Sequence, residues 1–451
     1  MEKSTFLTEF LQLSDYRTYL FLAVLLMVFY CIRKTEKKKI KFSYRMIIGS
    51  VVGLVLGVVI QMIARFPSEP SEVVWLSEVS SWYGLVGNGF MDLLKMLVVP
   101  LIFFSIVRVI MNMQGDNLGK LTYRTIGMLV GTTLIASVIG AVLGTVFQLG
   151  SSLVIGEADA QIREMVPIVE TLRGLLPSNV VQSMSEGNIV AVVIFAGFIG
   201  IAIRRLNKKY QDIIEPFTKW VEAFYKIILS VAMTIIKFMP YAVVALLSNT
   251  IISRGISVLA SVLQYILVLY LGIICMFIVH LIIAAIQGVK PSAYIKNGLE
   301  PLLLAFTSRS SLGTLPVLIE TLHTKFAVDE GIASFVGSLG ANMGMNGCAG
   351  LYSAMTTVML AQMVGVDMNL SFFLMLAIII AVSSFGIAGI PGAATISMSV
   401  VISGMGLGAY FPLVGAIVAI DPILDMGRTF LNVSGTMVSA ITVDKSIGKG
   451  K

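Results

Sequence analysis

Asp421, Asp425, Arg428 and Asn432 are spaced 4, 3 and 4 residues apart in a stretch that is otherwise mostly apolar. On a helix that spacing lines one face. Asp425 can accept hydrogen bonds from an ammonium group, and the Asn432 amide can donate to a carboxylate. Arg428 can pair bidentately with a second, distal carboxylate. Such a set suits an amino-acid ligand. The plainer alternative is an Asp425–Arg428 ion pair kept for packing. One charge at the centre of a bilayer costs about 2.5–3.5 kcal/mol on insertion scales. A ladder of polar groups beside several helix breaks therefore points to a binding face.

The breaks lie just upstream. Residues 297–322 carry the polar centre Thr307-Ser308-Arg309-Ser310-Ser311 between apolar arms of roughly ten residues, too short to cross a membrane alone. This predicts a re-entrant helical hairpin, whose irregular tip is tolerated at membrane depth only against protein or water. A second apolar segment, 333–360, is broken at Gly340-Ala341-Asn342-Met343-Gly344-Met345-Asn346-Gly347. Residues 369–404 repeat the hairpin pattern, with Ser383, Ser384, Gly386, Ala388 and Gly389-Ile390-Pro391-Gly392 at the tip. Duplicated interrupted helices are a sequence pointer to a transporter site. Backbone N–H groups at Ser310, Ser311 and Gly392 can bind carboxylate oxygens, because helix N-termini attract anions. Arg309 is a second cation at the same depth and can instead hold the tip by pairing with Asp421 or Asp425. Carbonyls freed near Gly344–Asn346 and Gly386–Ala388 can coordinate a small cation. Cys348 reads as core or pocket lining, since an apolar setting makes a thiol inert.

The elements that must hold these residues are membrane spans. Of 451 residues, 57% are apolar and 13% charged, against about 25% charged in soluble domains. Mean hydropathy is +0.92. Apolar runs fall near 19–32, 46–63, 87–111, 126–149, 189–203, 217–247 and 262–286, before the broken region. Gly49, Gly53 and Gly57 repeat every four residues and share a helix face suited to close packing. Pro240 is expected to kink the sixth run. The basic clusters Arg33–Lys41 and Arg204–Lys209 each follow an apolar run, as cytoplasmic flanks do. They suit anionic lipid heads rather than nucleic acid. This places the N-terminus outside, the acidic stretch 150–187 outside and the C-terminus in the cytoplasm. No cleavable signal peptide is expected. The three cysteines lack the spacing of a disulfide framework or a zinc site. No nucleophile–base set is present, so no enzyme activity is expected.

The motifs Ser308-Arg309-Ser310-Ser311-Leu312-Gly313-Thr314-Leu315-Pro316, Gly389-Ile390-Pro391-Gly392 and Asp421-Pro422-Ile423-Leu424-Asp425-Met426-Gly427-Arg428-Thr429 with Asn432 resemble the dicarboxylate/amino acid:cation symporter family. Leu94-Lys95-Met96-Leu97-Val98-Val99-Pro100 matches one of its earlier helices, and the likeness runs from about Arg45 to Ile441. It implies an all-α, elevator-type membrane transporter with eight core spanning helices and two re-entrant hairpins, assembled as a homotrimer. An extra N-terminal helix and basic loop (1–44) resemble the bacterial L-cystine uptake subfamily. By the same likeness 45–112 and 151–251 form the scaffold and trimer contacts, 113–150 and 252–443 the transport domain, and 444–451 a cytoplasmic tail.

That resemblance implies the site. Ser310, Ser311, Cys348, Gly389, Ile390, Pro391, Gly392, Asp425, Arg428, Thr429 and Asn432 would meet substrate. Gly340, Met343, Gly344, Asn346, Ser384, Gly386, Ala388, Asp421 and Asn432 are the cation-binding candidates. No cofactor is implied beyond a coupling sodium ion. The family's signature Asn-Met-Asp-Gly-Thr reads Gly344-Met345-Asn346-Gly347-Cys348 here, and its late acidic ligand falls at Thr436. Two expected carboxylates are thus absent, which leaves room for fewer sodium ions or for protons through Asp421 or Asp425. Cys348 in place of a substrate-facing Thr suits a bulkier ligand. The resulting expectation is a symporter importing L-cystine across the bacterial plasma membrane. A glutamate/aspartate symporter is the first alternative, and a ligand-gated anion channel or membrane receptor the second.

Overall fold

The computed structural model describes residues 10–40, 42–67, 69–111, 116–151, 178–186, 189–255, 258–385 and 392–448. Among these there are helices and turns and no strand. Among the described residues five helices are long and apolar enough to cross a membrane, or up to seven if each of two bent pairs is one span. The chain divides into two compact units, the first made of 1–94, 232–265 and 410–423, the second of 95–231, 266–409 and 424–451.

The helices begin with α1 (Tyr16–Lys37), α2 (Phe42–Ile63), α3 (Val74–Met96), α4 (Val98–Met111), α5 (Asp116–Val146), α6 (Val180–Ser185) and α7 (Ile189–Asn207). They continue with α8 (Gln211–Lys237), α9 (Met239–Arg254), α10 (Val258–Ile286), α11 (Pro291–Ser308), α12 (Ser311–Phe326) and α13 (Glu330–Gly340). After a π-helical turn, Asn346–Tyr352, come α14 (Ser353–Met363), α15 (Leu370–Ser383), α16 (Ala393–Gly404), α17 (Gly415–Ala419) and α18 (Asp421–Gly448). The third apolar run starts earlier than the sequence suggests. Trp75, Leu76, Val79 and Tyr83 are buried at helical spacing, so α3 takes in residues 74–86, ahead of the run near 87–111. The sixth run breaks at Phe238, and Pro240 sits in the first turn of α9, where its missing N–H costs nothing.

In the first unit, α2 packs on α9 along the glycine face. A Cβ on Gly49 would lie 2.8 Å from Pro240 O, and one on Gly53 2.9 Å from Val244 O. Ser248 Oγ donates to Gly53 O (2.8 Å), and Gln61 Nε2 donates to Ile251 O (3.0 Å) and Ile252 O (2.8 Å). Side-chain donors thus reach backbone carbonyls across the gap that glycine opens. Because these obstacles are backbone atoms, Gly53→Ala is expected to destabilise by about 1–3 kcal/mol. The thermal melt of the detergent-solubilised variant should shift downward, whereas Gly127→Ala, which faces open space, should not. Asp15 caps α1, and Glu78 on α3 accepts from Ser14 N (2.8 Å) and Thr18 Oγ1 (2.6 Å). The extra N-terminal helix is therefore tied to α3 by a buried carboxylate and by stacking of Phe21 on Trp75.

In the second unit, α11 and α12 form an antiparallel pair. Their distant ends meet where Lys325 Nζ bonds Glu300 Oε2 (3.1 Å) and Asn297 Nδ2 reaches Lys325 O (3.3 Å). The break between them is short: Arg309 takes a left-handed conformation (φ 56°) and Ser310 caps the next helix. This is the first helix–break–helix unit expected at 297–322. In the second, Gly404 of α16 abuts Ile379 of α15. Its expected tip residues Gly386, Ala388, Gly389, Ile390 and Pro391 lie outside the described residues, as do residues 152–177 and 187 of the acidic stretch 150–187.

Candidate functional site

Helix α18 opens on Asp421-Pro422 and carries Asp425, Arg428, Thr429, Asn432 and Thr436 along one side; all five are buried. Arg428 is 0% exposed, a setting that is costly for a cation without partners. Its Nη2 lies 3.4 Å from Asp425 Oδ1, and its guanidinium carbon sits 4.0 Å from the centre of the Tyr352 ring. A desolvated cation–π contact of this kind contributes about 2 kcal/mol. Thr429 Oγ1 reaches the same carboxylate oxygen at 3.4 Å. Asp421 is also buried, but it falls in the first unit, while Asp425 through Thr436 fall in the second.

The broken helix faces this row. Helix α13 ends at Gly340, where a Cβ would collide with the Thr436 side chain. Gly344 then takes φ +63°, where side chains are disfavoured, and its N–H donates to Ser384 O at the end of α15 (2.9 Å). Two cation-binding candidates are thereby joined through the backbone. Beyond the turn, Asn432 Oδ1 accepts from Gly347 N (2.8 Å) and Cys348 N (3.2 Å), and Asn432 Nδ2 contacts Cys348 Sγ at 3.0 Å. The amide of Asn432 caps the π-helical turn, satisfying N–H groups that a helix start leaves open. Gly347 is what lets the two backbones meet, since a Cβ there would run into the Arg428 carbonyl.

At the first hairpin tip, Arg309 and Ser311 are buried. Ser310 Oγ accepts from Gly313 N (3.0 Å), and Thr314 Oγ1 donates to Ser310 O (2.8 Å). Gly392 caps α16 in a left-handed conformation (φ 84°). Met343 is buried within the turn after α13.

Several groups at the site lie outside the residues singled out from sequence. Tyr352 supplies the ring beneath Arg428. Asn346 Oδ1 accepts from Thr132 Oγ1 (3.1 Å) and Thr133 Oγ1 (3.0 Å), and its Nδ2 lies 2.8 Å from His280 Nε2. His280 Nδ1 lies 2.9 Å from Ser434 Oγ, and Tyr294 OH donates to Ser434 O (2.9 Å). The available signal was a histidine and a threonine pair inside strongly apolar runs, where polar groups are kept for a reason.

A buried guanidinium and carboxylate on one helix face, beside an interrupted helix, can bind the opposite charges of an amino acid. Among the described residues no group of three or more His, Cys, Asp or Glu is placed to hold a metal ion. A coupling cation at the Asn346 position does not fit the residues present. The oxygens there belong to an amide, to two hydroxyls that contact it and to the Met128 and Leu129 carbonyls that the same hydroxyls reach; none is charged, and an imidazole nitrogen faces the amide.

Comparison with protein families matches residues 42–446 to the sodium:dicarboxylate symporter family. The chain belongs to that family. It is 36% identical over 443 residues to the L-cystine uptake protein TcyP of Bacillus cereus, covering 95% of this chain and 94% of the relative. The TcyP of Shouchella clausii is 36% identical over 450 residues (96% and 94%), and that of Bacillus licheniformis 35% over 429 residues (91% of each). The protein is thus a multi-pass membrane symporter of the dicarboxylate/amino-acid:cation class and not an enzyme. A small-molecule amino-acid substrate and association with membrane lipid fit that family.

Proposed function

We propose that this symporter imports L-cystine across the bacterial plasma membrane by an elevator movement of its hairpin-bearing domain, as a homotrimer with its N-terminus outside. The observation that carries the reading is the buried Asp425–Arg428 pair on α18 beside the broken helix. Cystine has an amino-acid group at each end. One end would meet Asp425 with the N–H groups of Ser310, Ser311 and Gly392, and the distal carboxylate would meet Arg428. Thr429 and the second tip, Gly389-Ile390-Pro391, would complete the lining. Cys348, drawn toward Asn432, presents a thiol where the family pattern has a substrate-facing Thr, which suits the disulfide span of the ligand. The relatives named as L-cystine uptake proteins support the same substrate. A coupling sodium would be held by backbone carbonyls near Met343, Gly344 and Ser384; protons would act through Asp421 or Asp425.

Arg428 also suits glutamate and aspartate, so the test is competition. Purified protein in liposomes should accumulate labelled cystine, and excess aspartate or glutamate should leave that uptake nearly intact. Strong inhibition by either acidic amino acid would reassign the substrate. Imposing sodium and pH gradients separately identifies the coupling ion.

A further inference from the structure

His280 sits in α10, a 29-residue helix that is otherwise strongly apolar, and it is completely buried. Its ring joins two elements of the site. On one side Asn346, the first residue of the π-helical turn, points its amide nitrogen at Nε2. An amide nitrogen cannot accept, so Nε2 accepts and carries no proton in this arrangement. Nδ1–H is left to donate to Ser434 Oγ on α18, and Tyr294 on α11 donates to the Ser434 carbonyl. On the far side of the amide, Thr132 and Thr133 of α5 contact Asn346 Oδ1. Five segments converge on one amide–imidazole pair. Gly435 makes the approach possible, because a Cβ there would collide with Asn346 Nδ2.

Every group in this network is neutral: two threonines, an asparagine, a histidine, a serine and a tyrosine. A hard cation needs several oxygen ligands and, in a dry interior, compensating negative charge. Here the amide oxygen is shared by two hydroxyls, and the amide nitrogen is committed to the ring. The arrangement nevertheless does what a bound ion would do mechanically. It fixes the start of the interrupted helix against α5 and α18. Asn346 adjoins Gly347 and Cys348, whose N–H groups bond Asn432, and Ser434 lies two residues beyond Asn432 on α18.

We propose that His280 stands in for a cation at this position: it is a positioning residue that clamps Asn346 to Ser434, and no coupling ion binds between Asn346, Thr132 and Thr133. The clamp sets the alignment of Asn432 with the broken helix, and so the affinity for substrate. This part of the inference rests on the site reading given above.

Two measurements on the purified full-length protein test it. The first needs no substrate. Melting temperature is followed across a sodium chloride series, with choline replacing sodium at constant ionic strength, for wild type, Thr133→Val and His280→Gln. The sodium response of the three proteins, including no response at all, should coincide. A shift of the sodium half-saturation in either variant would place the ion here and overturn the proposal. The second is cystine uptake in liposomes. His280→Ala should raise KM by about tenfold with Vmax nearly unchanged, as expected when buried partners are left unpaired. His280→Gln, which can still accept from Asn346 and donate to Ser434, should restore most of the affinity. Unchanged KM in His280→Ala, or a fall confined to Vmax, would overturn the positioning role. If His280→Ala does not fold, Ser434→Ala supplies the same KM readout by removing the partner of Nδ1. Should wild type take up no cystine, the substrate reading fails, and the melting series still decides whether an ion binds here.

Discussion

Arg428→Ala is expected to raise the KM for cystine at least about a hundredfold, because removing one partner of a buried charge pair costs about 3–5 kcal/mol. Three partners lose at once. Asp425 loses its opposite charge at 3.4 Å and the Tyr352 ring loses its stacked cation, and in the proposed binding mode the substrate loses its distal anchor. Some of that cost falls on folding, so uptake must be compared at equal amounts of monodisperse protein. Arg428→Lys keeps the charge but not the planar fork, which is what pairs with a carboxylate bidentately. It should fall between wild type and the alanine variant. Transport kinetics in liposomes, with size-exclusion chromatography and thermal melts on the same preparations, separate binding from stability. Near-normal KM in Arg428→Ala would remove this residue from the substrate site.

The second large effect is expected from Gly347→Ala, a single added methyl group. The methyl would collide with the backbone of Arg428. A flexible side chain could turn away, but two backbones cannot. Overpacking costs about 1–3 kcal/mol in well-packed cores, and the strain here falls on the bonds from Gly347 N and Cys348 N to Asn432. Uptake is expected to fall at least about tenfold, with a lower melting temperature. The matched control is Gly131→Ala in α5, which faces open space and should be neutral or gain up to about 1 kcal/mol from helix propensity. Equal behaviour of the two variants would mean that contact between α18 and the broken helix is not limiting.

Much of this arrangement was legible in the sequence because its signals are local. A 4, 3, 4 spacing of polar residues specifies a helix face, and the polar centre Thr307–Ser311 between two short apolar arms marks a break. Gly49, Gly53 and Gly57 announced a close helix contact, which α9 supplies. Other features were hidden because they depend on partners far away in the chain. Nothing near Asn346 in the sequence indicates that its amide meets His280, 66 residues earlier, or Thr133, 213 residues earlier. The role of Tyr352 was invisible for a related reason. A tyrosine in an apolar run reads as core until the π-helical turn is known, because that turn resets which residues face α18. The amide of Asn432 looked available for substrate by type, yet it is engaged with Gly347 and Cys348. Residue chemistry identifies what a group can bond; only the packing decides what it does bond.

The most direct test of the account uses a ligand rather than a mutation. The mixed disulfide of cysteine and cysteamine keeps the length of cystine, one complete amino-acid end and both ammonium groups, but lacks the second carboxylate. Its binding to purified protein can be compared with that of cystine by calorimetry. If Arg428 reads the distal carboxylate, wild type should bind the analogue about thirtyfold or more weakly, the expected loss for an unpaired buried charge. Arg428→Ala should then bind both ligands with nearly the same low affinity. Equal binding of the two ligands by wild type would contradict the assignment of α18 as the face that recognises substrate.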